Sequence, residues 1–247
     1  MTRPDRLEQI AIVGGTGPQG RGLAARWSRA GYTVHVGSRS RERAEDVAAR
    51  VRTRAGDDVD VRGATNLEVC ARSEIVVVTL PYEAQRPTLP DLRAVVAGKL
   101  VCSVVNPMVF DEVGPKAMRV EAGSAAEECQ ELLPGARVVS AFQSVPAKRL
   151  WDVDHPVGCD VLICGDDPGA KHRVAHLAAD IPGMWGVDCG PLRNSASIEN
   201  VTPVLLFVNR RYRVHAGLRI DGIERDESTL HPPGSSDGAR GGREPGG

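Results

Sequence analysis

The chain has 247 residues, 41% of them hydrophobic, with 31 basic against 32 acidic side chains and a formal net charge of -1. That length sets one domain, or one with a small appendage, as the expectation. Balanced charge leaves no broad basic face for nucleic acid, and no apolar run approaches the roughly 20 residues of a membrane helix.

In chain order, residues 10–13 (IAIV) read as a short apolar strand ending in glycines. Residues 19–30 follow as a helix with Leu23, Trp27 and Ala30 on one face, closed by Gly31. A second strand is expected over 33–36, an arginine-rich helix over 40–54, a weak third strand over 59–61 and a short helix over 67–72. Residues 74–80 (EIVVVTL) and 99–105 (KLVCSVV) have the β-branched runs of buried strands. Later strands are expected over 137–142, 160–164 and 185–188. A helix over 168–180 carries proline in its first turn. A long helix is expected from 193 to about 217, which Pro203 must kink or divide. From 224 the composition shifts, and 232–247 is dense in Gly, Pro, Ser and Arg, as a disordered tail would be.

The alternation of strand and helix predicts an α/β fold with a mostly parallel, doubly wound sheet. The expected division is a nucleotide-binding domain over 1–165, a C-terminal segment over 166–223 whose long helix completes a substrate cleft as a small helical lobe, and a tail over 224–247. Six cysteines occur without a CxxC pair, several inside apolar runs, as in a chain with reduced, buried thiols. Charges in the first nine residues occupy the place where a signal peptide needs an apolar core, so a soluble cytoplasmic protein is expected.

Gly15-Thr16-Gly17-Pro18-Gln19-Gly20 is a G-x-G-x-x-G placed between a strand and a helix, the context of a Rossmann-type dinucleotide site. Its free N–H groups and helix dipole suit a pyrophosphate. After the second strand the chain reads Gly37-Ser38-Arg39-Ser40-Arg41-Glu42-Arg43, with no acid to take a ribose 2′-hydroxyl. Ser38, the planar fork of Arg39, and Arg43 one turn on suit a 2′-phosphate, which favours NADP over NAD. The plainer alternative is that Ser38 or Ser40 caps the helix and the arginines are solvated.

No Tyr-x-x-x-Lys pair follows any of the tyrosines, and His155 beside Asp154 lies in a proline-bearing loop. Hydride passed directly between two cofactors needs stacking and orientation more than acid–base groups. Here the motifs resemble one family, the NADPH-dependent F420 reductases. They are GGTGPQGRGLA at 14–24, VGSR at 36–39, TLPYE at 79–83, RVVSAFQSVPA at 137–147, LICGDD at 162–167 and DCGPLRNSASIENVTPV at 188–204. The resemblance spans about 10–220.

That resemblance implies reversible hydride transfer between NADP(H) and coenzyme F420, in a homo-oligomer. It puts the pyrophosphate on Gly15, Thr16, Gly17, Pro18 and Gln19, and the 2′-phosphate on Ser38, Arg39 and Arg43. Tyr82 is implied near the nicotinamide half, Met108 and Ala147 along the same cleft, and Leu218 against the rings. The chain departs from the family at Gln143, where histidine is usual, and at Pro87 and Pro90, so the helix there is expected to start later. It is also unusually basic over 209–213, either as a solvated helix face or as a contact for the glutamate tail of F420. Two other readings stay open. One is an NADPH-dependent reductase of an imine, ketone or biosynthetic intermediate. The other is an NADP-sensing protein without turnover.

Overall fold

The computed structural model describes residues 8–226. Its first half alternates β1 (Gln9–Val13), α1 (Pro18–Arg29), β2 (Thr33–Ser38), α2 (Arg41–Ala55), β3 (Val61–Thr65), α3 (Asn66–Arg72) and β4 (Ile75–Val78). A run of single turns follows: a 3-10 turn at Tyr82–Ala84, α4 (Gln85–Thr88), a second 3-10 turn at Leu89–Leu92, and α5 (Arg93–Val96). Pro87 and Pro90 remove two backbone donors there, and the α-helix after Pro90 is a single turn. Then come β5 (Leu100–Ser103), the hairpin β6 (Met108–Phe110) and β7 (Pro115–Ala117), α6 (Ala125–Leu132) and β8 (Arg137–Ser140). The chain continues through α7 (Ala147–Trp151), β9 (Cys159–Gly165), α8 (Pro168–Ala179) and β10 (Met184–Asp188) to α9 (Ser195–Glu199) and α10 (Val201–Tyr212).

Eight strands form one sheet in the order β10-β9-β8-β5-β4-β1-β2-β3. All neighbours are parallel except β8 and β9. The sheet is thus Rossmann-type, doubly wound and mostly parallel, as the alternation predicts. β1 and β4 flank the point where the strand order reverses, and ligands in such sheets bind beyond the carboxyl ends of the strands at that point. Two apolar clusters bury the two faces. One is centred on Ile10, Ile12, Trp27 and Val34, the other on Ala11, Val13, Val76 and Val101, so alternate residues of β1 serve opposite sides.

Four expectations change. The third strand runs over Val61–Thr65 rather than 59–61. Its Gly63 lies so close to α2 that a Cβ would sit 2.3 Å from the Ala44 carbonyl carbon, and the polar Arg62 and glycine hide the usual apolar signal. The division expected at 165 is no break, because α8 and β10 lie beyond it and β10 pairs with β9. The long helix is divided at Asn200, which puts Pro203 in the first turn of α10. It ends at Tyr212, five residues before 217, where Arg213 adopts the left-handed conformation at φ 55°. The tail expected from 224 lies mostly outside the described residues. Arg225 is anchored, its guanidinium 2.6 Å from buried Asp160.

Candidate active site

The glycine-rich turn joins β1 to α1, and its three glycines do three jobs. A Cβ on Gly15 would meet the Ile12 carbonyl oxygen at 2.8 Å, so the tight turn excludes one. A Cβ on Gly20 would fall 2.6 Å from the Gly15 Cα, which is where helix and turn press together. Gly17 faces open space, with nothing within 4 Å of its Cβ position. Gly17 is also the N-cap of α1, which has no side-chain cap and no acid in its first turn. The amides of Gln19 and Gly20 therefore point outward without an intrahelical acceptor, and the helix dipole favours an anion there. Thr16 is half-buried in the turn and Pro18 opens the helix. The buried side chain of Asn66 fixes the turn from below, its Oδ1 accepting from Gly14 N at 3.2 Å.

Ser38 ends β2, and its Oγ accepts the Ser40 amide at 3.3 Å. Ser40 caps α2 by accepting from Arg43 N at 3.2 Å. The capping alternative is therefore realised, yet it uses neither arginine side chain. The side chains of Arg39 and Arg43 are exposed and have no hydrogen-bond or ion-pair partner among the described residues, whereas Arg41 between them pairs with Glu68 and Glu45. Of the three arginines at this turn, two are left able to grip an anion.

Next to the phosphate turn opens a cleft of about 680 Å³. Gln19 belongs to both: it lines the cleft, and its Nε2 donates to the Phe142 carbonyl at 3.1 Å. Phe142, two residues beyond β8, has φ 69°, a left-handed conformation rare outside glycine. The bend turns Gln143, Ser144, Val145 and Pro146 along the cleft wall. Buried Gln143, half-buried Asn106 and buried Thr202 form a polar floor. Thr202 Oγ1 donates to Asn106 Oδ1 at 2.9 Å and lies 3.2 Å from the Gln143 carbonyl, tying α10 to the sheet. The Gln143 amide donates to the Ser103 carbonyl at 3.0 Å and Ser140 Oγ at 2.7 Å, while its Oε1 has no partner. Met108, Val145, Ala147, Leu205 and Leu206 add apolar walls. Among the described residues no aspartate or glutamate lines the cleft, but Lys148, Arg210, Arg213 and His215 do.

The wall from α7 is fastened by α1. Buried Arg26 donates to the carbonyls of Leu150 at 3.0 Å, Arg149 at 2.7 Å and His155 at 2.7 Å, and also contacts that of Asp152. Gly22 permits this approach, since a Cβ there would lie 2.5 Å from that of Leu150.

Of the expected residues, Gln19, Met108 and Ala147 meet in the cleft. Tyr82 lies elsewhere, on the turn after β4 beside the reversal point, with its hydroxyl 3.2 Å from Glu128 Oε1. Burial and that carboxylate push its pKa up. Leu218 is not on the last helix and does not line the cleft. It follows α10 in an extended strap whose carbonyl accepts Asp160 N at 2.8 Å, and it packs near Cys164 and Ile198. Sequence reading missed Asn66, Asn106, Thr202, Lys148 and His215. The Asn106-Pro107 break after a buried strand was the one available signal, since the others meet the site only through tertiary folding. All six cysteines are free thiols, five of them buried. Burial pushes Cys70 up to about 12 and Cys159 to about 11. No helix among the described residues is long and apolar enough to cross a membrane.

The family described as "NADP oxidoreductase coenzyme F420-dependent" matches residues 9–107. An F420-dependent NADP reductase of Methanothermobacter thermautotrophicus is 40% identical over 226 residues, 89% of this chain and 97% of that protein. The enzyme of the same name from Methanocaldococcus jannaschii is 39% identical over 223 residues, 87% of this chain and 99% of that protein. Among solved structures, an Arthrobacter sp. FB24 protein provisionally described as an F420-dependent NADP reductase superposes with a TM-score of 0.75 at 24% identity. That match covers 87% of this chain and 99% of the other, and at that identity it bears on the fold alone.

Proposed function

The chain belongs to the F420-dependent NADP reductase family, and we propose that it passes a hydride between NADP(H) and coenzyme F420 with both rings held in the 680 Å³ cleft. The observation that carries the placement is the make-up of that cleft. It starts at Gln19 of the phosphate turn, has apolar walls, and contains no carboxylate among the described residues. Its volume falls in the usual range for small-molecule sites, roughly 300–1,000 Å³. Hydride exchange between two ring systems requires alignment of two carbons and exclusion of water, so a wall without a proton-transfer pair suffices.

Roles then follow from position. Thr16, Gly17, Pro18 and Gln19, with Gly15 shaping the turn, cradle the pyrophosphate. Ser38, Arg39 and Arg43 take the 2′-phosphate. Met108 and Ala147 pack the nicotinamide side. The Gln143 Oε1, buried without a partner, accepts a ring or carboxamide N–H, which relieves the cost of leaving it unpaired. Tyr82 acts from the reversal point between β1 and β4, and Leu218 supports the floor from behind rather than touching the rings. Residues 8–190 carry the nucleotide, while α9, α10 and the strap complete the cleft as a helical lobe. The hairpin and α10 expose Phe110, Val113 and Val204, an apolar face suited to a second copy of the chain. Six free thiols, five of them buried, suit a reducing compartment such as the cytoplasm.

Mixing the protein with NADPH and F420 and following the deazaflavin absorbance tests this reading. Bleaching is expected. NADPH oxidation with an imine or ketone but not with F420 would replace the second substrate, and tight NADPH binding with no acceptor turned over would make the protein a sensor.

A further inference from the structure

Four cationic or N–H-bearing side chains converge on the cleft from two separate stretches of chain. Lys148 comes from the first turn of α7, Arg210 from the last turn of α10, and Arg213 and His215 from the loop beyond it. All four are exposed, whereas Gln143 and Thr202 of the floor are buried, so the cations line the mouth. None has a side-chain hydrogen bond or ion pair among the described residues. Other exposed arginines of this chain are unpaired too, Arg39 and Arg43 among them, so what sets these four apart is that they meet around one cleft. Cations at the C-terminus of α10 answer the helix dipole, but that accounts for Arg210 and not for Lys148 from α7 or His215 from the loop.

The loop is also built to bring them there. Arg213 takes a left-handed conformation at φ 55°, a strained choice for a residue with a side chain. Asn209 then holds the reversal: its carbonyl accepts from Val214 N at 3.3 Å and its Oδ1 accepts from Ala216 N at 2.6 Å. Val214, His215 and Ala216 are thereby folded back onto the cleft they line. A ligand that fills an interior of apolar walls over an uncharged amide and hydroxyl floor, and meets unpaired cations at the mouth, has a flat ring at one end and several negative charges at the other.

We propose that Lys148, Arg210 and Arg213, with His215, select the deazaflavin substrate by its anionic side chain, its phosphodiester and glutamate carboxylates, rather than by its ring. This rests on the F420 reading above and names the residues that discriminate at that same site. The cations act on binding and capture of the substrate and leave the hydride step alone, so their effect appears in KM and in salt dependence.

The test compares intact F420 with the bare hydroxy-deazaflavin that lacks the phosphate and glutamates, using the full chain. The variants are Arg210→Gln combined with Arg213→Asn, asparagine being the side chain that best tolerates the left-handed turn, and Lys148→Gln alone. Wild type is expected to favour F420 at low salt, by about tenfold or more in kcat/KM, with that preference shrinking as salt rises. The double variant should lose most of the preference through KM for F420. Turnover of the bare deazaflavin and KM for NADPH should stay within about twofold. An equal loss on both deazaflavins, or none on either, overturns the inference while leaving the F420 reading intact. A raised KM for NADPH would reassign the cations to the nucleotide. If neither deazaflavin is reduced by wild type, the inference and the reading beneath it fail together.

Discussion

At the residue scale, the phosphate turn separates glycines that serve the fold from one that serves a ligand. Gly20 abuts the Gly15 backbone, so Gly20→Ala overpacks the joint and should cost about 1–3 kcal/mol, visible as a drop of several degrees in Tm. Gly17 faces open space, so Gly17→Ala should melt with the wild type yet bind NADPH at least about tenfold more weakly, because the methyl takes the room of a phosphate. If the two variants lose stability and affinity in step, the division of labour is wrong. Arg39 has no partner to lose, so Arg39→Ala should leave Tm unchanged. It should raise KM for NADPH by about 10- to 100-fold, the worth of a charge-assisted contact, and spare KM for NADH. Steady-state kinetics with the two nucleotides decide it, and equal effects would remove the 2′-phosphate from this arginine.

At the element scale, the cleft wall depends on how α9 and α10 are fastened. Glu199, the last residue of α9, is buried, and its carboxylate accepts the amides of Ala125 at 2.9 Å and Ala126 at 3.1 Å at the start of α6. Burial outweighs those bonds, and Glu127 and Glu128 add repulsion, so its pKa is pushed up to about 7. A carboxyl raised in the folded state favours folding most at low pH, and that contribution fades as pH climbs from about 4.5 to about 7. Glu199→Gln should therefore cost more stability at pH 5 than at pH 8, by about 2–3 kcal/mol in urea unfolding. An equal cost at both values would show that the amides, and not burial, govern the group. Much of this architecture was legible beforehand. The β-branched runs of β4 and β5 and the glycine turn announce a parallel nucleotide-binding sheet without help from tertiary contacts. What was not legible has physical causes. The hairpin β6–β7 exposes Val109 and Phe110 in succession, so it lacks the alternation of a half-buried strand. α7 is too short to show a period. The start of α6 did carry a signal, since Ser124 caps it by accepting from Glu127 N at 3.0 Å and Glu127 sits at the matching third position. Tyr82 and Leu218 were tied to the rings by likeness alone, and nothing local in the sequence shows that one reaches for Glu128 and the other backs β9.

At the scale of the whole molecule, Phe110, Val113 and Val204 stand exposed on the β6–β7 hairpin and on α10, which packs against β7. On the proposal that two copies of the chain meet at this surface, Phe110→Asp, at a ring 71% exposed, should lower self-association in sedimentation while the isolated fold stays intact. A wild-type monomer at tens of micromolar would leave that face without its partner. The same hairpin presents Lys116 to solvent, and the cleft mouth presents Lys148. The other two lysines are engaged, Lys99 with the Cys70 carbonyl and Lys171 with Asp188. Side-chain amines are so scarce in this chain that nature has left it with two chemical reporters. A mild acylating reagent read by mass spectrometry would mark self-association at one and ligand occupancy at the other, in a single protection experiment on unmutated material.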